Sequence, residues 1–242
     1  MKVVSLLVAT LLPAVALTRQ GSGYTYERLE KDKALLLVVD IQEGLIQMVR
    51  DFDPSVYHQK AIAHAALAEL FNLPLVITTS ADSGPNGQLM REIKDMHPHA
   101  PLIRRQGEVN SWDSEEFREA VKATNKTQVI IAGIVTDVCT TFLALSLREA
   151  GYSVWANIEA SGTTSELNAR AGNDRMASAG VHVVTQYAIL GELMRDWRHT
   201  PGAKEVFPWI EKHFPIVSHL VRSHGHAVRN GTIHPGVEET LG

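Results

Sequence analysis

The stretch Ala34-Leu35-Leu36-Leu37-Val38-Val39-Asp40 sets the fold class. Six apolar residues run on without a polar interruption and stop at a carboxylate. A strand with one wet face alternates apolar and polar side chains, so an unbroken run fits a strand covered on both faces, as in a parallel sheet. Similar runs follow at Leu75-Val76-Ile77, Val129-Ile130-Ile131-Ala132, Val154-Trp155-Ala156 and Val181-His182-Val183-Val184. Between them, residues 56–71, 114–123, 140–150, 165–179 and 189–197 show helical spacing, with Gly151 and Gly180 as stops after the third and fourth. Strands alternating with helices predict a mostly parallel sheet with helices on both faces.

Composition agrees with one domain of this kind. The chain has 242 residues, 45% of them hydrophobic and 21% charged, which is enough apolar surface to offset the entropy of ordering the chain. A net charge of −4 gives no basic footprint for nucleic acid. A single cysteine excludes an internal disulfide and a cysteine-based zinc cluster.

Residues 1–16 read as an export leader. Lys2 precedes an apolar run from Val3 to Leu12, and Ala14-Val15-Ala16 supplies the small-residue cleavage pattern. The run is shorter than the roughly 20 residues a membrane-spanning helix needs. Secretion, with no membrane association after cleavage, is the expectation, and two glycosylation sequons (at Asn125 and Asn230) are compatible with it. The main domain is then expected over residues 17–200. Residues 201–242, where prolines interrupt the apolar groups Phe207-Pro208-Trp209-Ile210 and Phe214-Pro215-Ile216-Val217, read as an irregular docked tail. Those apolar groups are costly to leave in water, which predicts a homo-oligomer with the tail covering a neighbour.

In parallel sheets ligands sit beyond the carboxyl ends of the strands. That rule selects Asp40, residues 78–82, Arg104-Arg105, residues 133–139 and residues 159–162. Cys139 follows a strand and opens a helix, where the helix dipole favours a thiolate; the plainer alternative is a small buried apolar residue. Asp40 is either a buried carboxylate with a raised pKa or a helix N-cap. Arg104 and Arg105 are either charge holders or solvated surface groups. Taken together, an acid, a cation and a thiol at three strand ends form a nucleophile, its base and its electrostatic partner. No histidine stands at a strand end to serve Cys139: His182 reads as a packed core residue and His97-Pro98-His99 as a surface loop. Six of the eleven histidines lie beyond Arg198, but His224-Gly225-His226 has no carboxylate or cysteine arranged with it, so a solvated segment is the preferred reading over a metal site.

The segments Val38-Val39-Asp40-Ile41-Gln42 and Ala132-Gly133-Ile134-Val135-Thr136-Asp137-Val138-Cys139 resemble the isochorismatase-like cysteine hydrolases, which include nicotinamidases and N-carbamoylsarcosine amidohydrolases. Phe71-Asn72-Leu73-Pro74, Gly84-Pro85-Asn86-Gly87, Asn110-Ser111-Trp112-Asp113, Ala160-Ser161-Gly162-Thr163 and Arg195-Asp196-Trp197-Arg198 carry a closer likeness to the YcaC-like subgroup. The resemblance spans about Leu29 to Phe214. It implies a three-layer α/β/α, Rossmann-like fold around a mostly parallel six-stranded sheet, and a triad at Asp40, Arg105 and Cys139. It further implies a non-proline cis peptide at Val135-Thr136 that shapes an oxyanion site, and substrate-pocket positions at Gln42, Asn110 and Trp112. Most of the superfamily carries lysine where this chain, like the YcaC-like subgroup, has Arg105. Arginine does not give up its proton, so Arg105 acts as a holder of negative charge. Residues 78–85 contain no histidine to match the metal site of nicotinamidases, so no metal and no other cofactor is expected.

The leading expectation is a cysteine hydrolase of a small-molecule amide or related C–N bond, working through a thioester. Vinyl-ether hydrolysis of an isochorismate-like substrate is the second reading, although it leaves the thiol without a role. A secreted, non-catalytic binding protein on a hydrolase scaffold is the third.

Overall fold

The computed structural model describes residues 25–231, so the expected leader over residues 1–16 lies outside the described residues. The strands are β1 (Ala34–Val39), β2 (Leu75–Ser80), β3 (Leu102–Arg105), β4 (Gln128–Gly133), β5 (Ser153–Asn157) and β6 (His182–Val184). They pair in the order β3-β2-β1-β4-β5-β6, every pair parallel. The chain winds outward from β1 in one direction through β3, then returns beside β1 with β4 and winds the other way. The switch point between β1 and β4 is where such sheets open a crevice. β3 is the strand with the weakest apolar signal; it continues past Leu102-Ile103 through both arginines, which puts Arg105 in register with Ser80.

β1 is fully buried, and its residues divide between two cores. Leu36 and Val38 pack in one cluster with α1 (Pro54–Phe71), while Leu35, Leu37 and Val39 pack in another with Phe117, Leu143 and Met176. The second cluster is roofed by α3 (Glu115–Ala123), α4 (Thr141–Glu149) and α5 (Glu166–Ser178). A short α2 (Arg91–Met96) joins β2 to β3. Helix starts follow side-chain caps: Asp53 accepts from the N–H groups of Ser55 and Val56, Ser114 from Phe117 and Ser165 from Asn168. The last expected segment shifts three residues toward the N-terminus. Helix α6 (Gln186–Met194) is capped by Thr185, and it ends where Arg195 takes a φ of 65°.

The chain after Pro201 departs from the sequence expectation. It forms two helices, α7 (Ala203–His213) and α8 (Pro215–Arg229). Pro215 opens α8, where a missing N–H costs nothing. Pro208 sits inside α7, whose residues Val206, Trp209 and Ile210 nevertheless join the core on the α1 side. Helical spacing of the apolar positions outweighs the single proline here. The core therefore extends past residue 200, and of the aromatic and aliphatic residues expected to seek a neighbour, most are covered by this chain itself. Ile216 is the exception at 86% exposed.

His64 lies wholly inside α1 against the sheet. Its Nε2 donates to the Leu37 carbonyl (3.0 Å), and its Nδ1 meets the Asn157 amide (3.2 Å). Both ring nitrogens are satisfied only in the neutral form, and burial lowers the pKa from 6.5 to about 4. The folded protein therefore binds a proton at His64 less readily than the unfolded chain. The stabilisation is complete above pH 6.5 and falls as the pH drops toward 4, by about 3 kcal/mol in all. His64→Gln should flatten the loss of urea resistance between pH 6.5 and 4; an unchanged pH profile in that variant would show that His64 does not control it.

Candidate active site

Asp40 ends β1 with φ at 55°, a left-handed conformation that aspartate tolerates better than most residues. The chain reverses sharply there, with the Gln42 N–H donating to the Asp40 carbonyl at 2.9 Å. Asp40 therefore does not cap a helix. Its own N–H donates to the Thr78 carbonyl (2.9 Å), and its carboxylate is fully buried.

Arg105, at the end of β3, reaches across β2 to this carboxylate. One terminal guanidinium nitrogen lies 2.5 Å from each Asp40 oxygen. Nε donates to Thr78 Oγ1 at 2.9 Å, and the other terminal nitrogen donates to the Glu108 carbonyl. Arg105 is thus used as a fixed fork. Arg104 points the other way along the strand and pairs with Asp82 at 3.1 Å.

Cys139 sits in a single π-helical turn, Thr136–Thr140, between β4 and α4. Such turns occur often at functional sites. The turn is close against β1: a Cβ at Gly133 would lie 2.2 Å from the Val39 carbonyl oxygen. Only glycine lets β4 and β1 converge so that the thiol meets Asp40. The Cys139 thiol lies beside the Asp40 carboxylate and the Val135 N–H.

Burial raises the Asp40 pKa, with the charge of Arg105 and the bonds from Arg105 and Cys139 opposing it. Burial also pushes the Cys139 thiol up to about 12, reinforced by the negative charge of Asp40. This corrects the expectation of a dipole-stabilised thiolate. Desolvation and the neighbouring carboxylate outweigh the helix end and favour the protonated thiol.

Two further expectations need correction. The non-proline cis peptide lies at Ile134-Val135, one bond before Val135-Thr136. The Thr136 N–H donates to the Gly162 carbonyl at 3.0 Å, so it is engaged within the chain and the donor facing the thiol is that of Val135. Gln42 is fully buried and its amide is used by the backbone of Ser80 and Gly87, so it holds the loop after β2 instead of lining an open pocket. Asn110 and Trp112 stand half-buried on the segment between β3 and α3. The Asn110 amide donates to Ser146 Oγ on α4, and the Trp112 ring meets Phe117 and Tyr152 edge to face. Among the described residues, no hydrogen bond ties either residue to Asp40, Arg105 or Cys139.

The strand-end rule selects residues 78–82 and 159–162 without giving Thr78 or Gly162 a part of its own. The Thr78 carbonyl holds Asp40 and its hydroxyl holds Arg105, while the Gly162 carbonyl fixes the start of the π turn. His182 stacks on Trp155 at 4.1 Å and meets Glu27 at 2.9 Å, half-buried at the sheet edge. Among the described residues, no three His, Cys, Asp or Glu side chains gather as a metal site.

Residues 34–187 match the model of the isochorismatase domain. The chain is 43% identical to a protein named probable hydrolase YcaC from Escherichia coli, over 82% of this chain and 95% of that one. A structure of YcaC from Pseudomonas aeruginosa, carrying hexane-2,5-diol and covalent acrylamide, superposes with a TM-score of 0.81. It is 44% identical and covers 84% of this chain and 99% of its own. The structure of the Escherichia coli YcaC product, described as an octameric hydrolase of unknown specificity, also gives 0.81, at 43% identity over 84% and 98% of the two chains. A nicotinamidase from Staphylococcus aureus, at 15% identity and a TM-score of 0.52, shares the fold alone. With the domain model covering strands β1 to β6 and the YcaC likeness spanning nearly the whole of those proteins, this chain belongs to the isochorismatase family of hydrolases, on its YcaC-like branch.

Proposed function

We propose that this hydrolase cleaves a C–N bond in a small amide or related compound through a thioester on Cys139. The observation that carries the reading is a thiol set beside a buried carboxylate that a fixed guanidinium holds in place. Sulfur attacks the carbonyl carbon as its proton passes to Asp40, whose raised pKa suits it to accept and then return a proton. The oxyanion forms against the Val135 N–H. Collapse breaks the C–N bond, and the leaving amine takes the proton from Asp40. Water then attacks the thioester, the acid departs and the thiol is restored. Arg105 keeps its proton throughout and steadies the negative charge on Asp40.

The Pseudomonas aeruginosa relative that holds acrylamide covalently supports a reactive nucleophile on this scaffold. Vinyl-ether hydrolysis would use the acid and leave Cys139 idle, and a non-catalytic binding role would leave the buried Asp40–Arg105 pair beside the thiol unexplained. Export rests on the leader pattern of residues 1–16 alone.

Homo-oligomerisation is the second part of the proposal. Ile216 and Leu220 stand 86% and 71% exposed on α8; exposed Val56 lines one groove with Ile216 and Phe214, and exposed Tyr187 meets the Phe214 ring. The octameric description of the Escherichia coli protein supports assembly from copies of one chain.

A panel of amides and carbamoyl compounds should yield a substrate that the wild type turns over. On that substrate Cys139→Ala should be inactive and Cys139→Ser nearly so, because a serine hydroxyl is a far weaker nucleophile beside this base. Turnover by the alanine variant at the wild-type rate rules the thioester out. Arg105→Lys should keep more activity than Arg105→Ala, since lysine preserves the charge while losing the bonds to Thr78 and Glu108. Arg105→Ala should also lower the unfolding free energy by about 3–5 kcal/mol by leaving Asp40 buried without its partner. Equal activity loss in both variants would mean that the fork, not the charge, is what matters. Light scattering should give a multiple of the chain mass, reduced by Leu220→Asp; a monomeric wild type would refute the assembly.

A further inference from the structure

The outer side of the nucleophile turn is held by a clasp that the mechanism leaves unused. Thr163, in the connection from β5 to α5, is buried at 1% exposure. Its hydroxyl donates to Asp137 Oδ1 at 2.6 Å, and its N–H donates to Asp51 Oδ1 at 2.8 Å. Its carbonyl accepts from the Arg50 N–H at 2.8 Å. One residue therefore joins three segments: the loop before α1, the loop after β5 and the π turn. Asp137 stands two positions before Cys139 in that turn, and residues two apart on a helical turn point to different sides. Behind Asp137 the fold leaves no slack. A Cβ at Gly172 of α5 would fall 2.9 Å from the Asp137 Cα, so the helix backbone is pressed against the turn. Beside Thr163, Gly162 receives the Thr136 N–H and pairs with Ile134 as an isolated parallel bridge.

From this geometry we infer that Thr163 is a positioning residue for the nucleophile: its hydroxyl, gripping Asp137, fixes the rotation of the π turn that aims the Cys139 thiol at Asp40. The inference rests on the reading of Cys139 as a nucleophile that works through Asp40. The thiol gives up its proton to one base in one direction, and the base is immobilised by Arg105. A small rotation of the turn would carry the thiol away from its base while leaving the fold intact. The carboxylate of Asp137 has no role in this beyond accepting the Thr163 hydroxyl, so an amide at that position should serve as well.

The test uses the full chain and its single cysteine, and it reads the rate at which iodoacetamide captures Cys139, followed by intact mass at neutral pH. Thr163→Val removes the hydroxyl at constant shape, and Thr163→Ser restores it. We expect capture to slow about tenfold in the valine variant and to stay within twofold of wild type in the serine variant. Asp137→Asn should remain near wild type, Asp137→Ala should match Thr163→Val, and combining Asp137→Ala with Thr163→Val should add nothing further. Wild-type capture in Thr163→Val, or an equal loss in the serine variant, overturns the inference. If the valine variant melts without a cooperative transition, the two Asp137 variants decide in the same way. A wild-type rate no faster than that of an ordinary cysteine peptide counts against the nucleophile reading, whereas the ratios among variants judge the clasp.

Discussion

The site depends on one buried ion pair. Asp40 and Arg105 come from the ends of β1 and β3, with β2 between them, and both are removed from water. Neither charge is tolerable alone in that setting, since an unpaired buried charge costs several kcal/mol. The fork geometry of arginine settles the pair: one nitrogen on both carboxylate oxygens, the others on the Thr78 hydroxyl and the Glu108 carbonyl. With its charge compensated but not neutralised by proton transfer, Asp40 is left able to take a proton from the sulfur beside it.

The sheet topology explains why these groups meet. β1 and β4 are neighbours across the switch point, so a carboxylate ending the first and a turn following the second are brought together by backbone pairing alone. Gly133 permits the final approach. The same closeness takes part of the thiol's surface out of water and sets it beside a carboxylate, both of which favour a thiol that is deprotonated on demand over a standing thiolate.

Much of this was legible in the chain. The run from Ala34 to Val39 reads as a doubly buried strand because both of its faces meet apolar layers, and its carboxylate stop marks the ligand edge. The position of Cys139 after a strand was equally plain. What failed to show was what depends on partners distant in sequence. Gln42 looks like a pocket residue until Ser80 and Gly87 are seen to occupy its amide. The charge state expected of Cys139 followed the local helix end, whereas burial is the larger influence, joined by a carboxylate almost a hundred positions earlier. Pro208 and Pro215 suggested an irregular tail because proline is a strong local signal, yet packing of Val206 and Ile210 onto the core maintains α7. His64 gave no signal, since a histidine among alanines in α1 reveals its buried partners only in the fold.

The central claim is that Asp40 is the base that serves the Cys139 thiol. The most direct measurement is the pH dependence of iodoacetamide capture in the wild type and in Asp40→Asn, compared with turnover on the same preparations. Removing the carboxylate takes away the group that accepts the thiol proton, so the account predicts that capture at neutral pH and turnover both fall in the variant. A variant whose capture profile coincides with the wild type, or whose turnover survives, would contradict it.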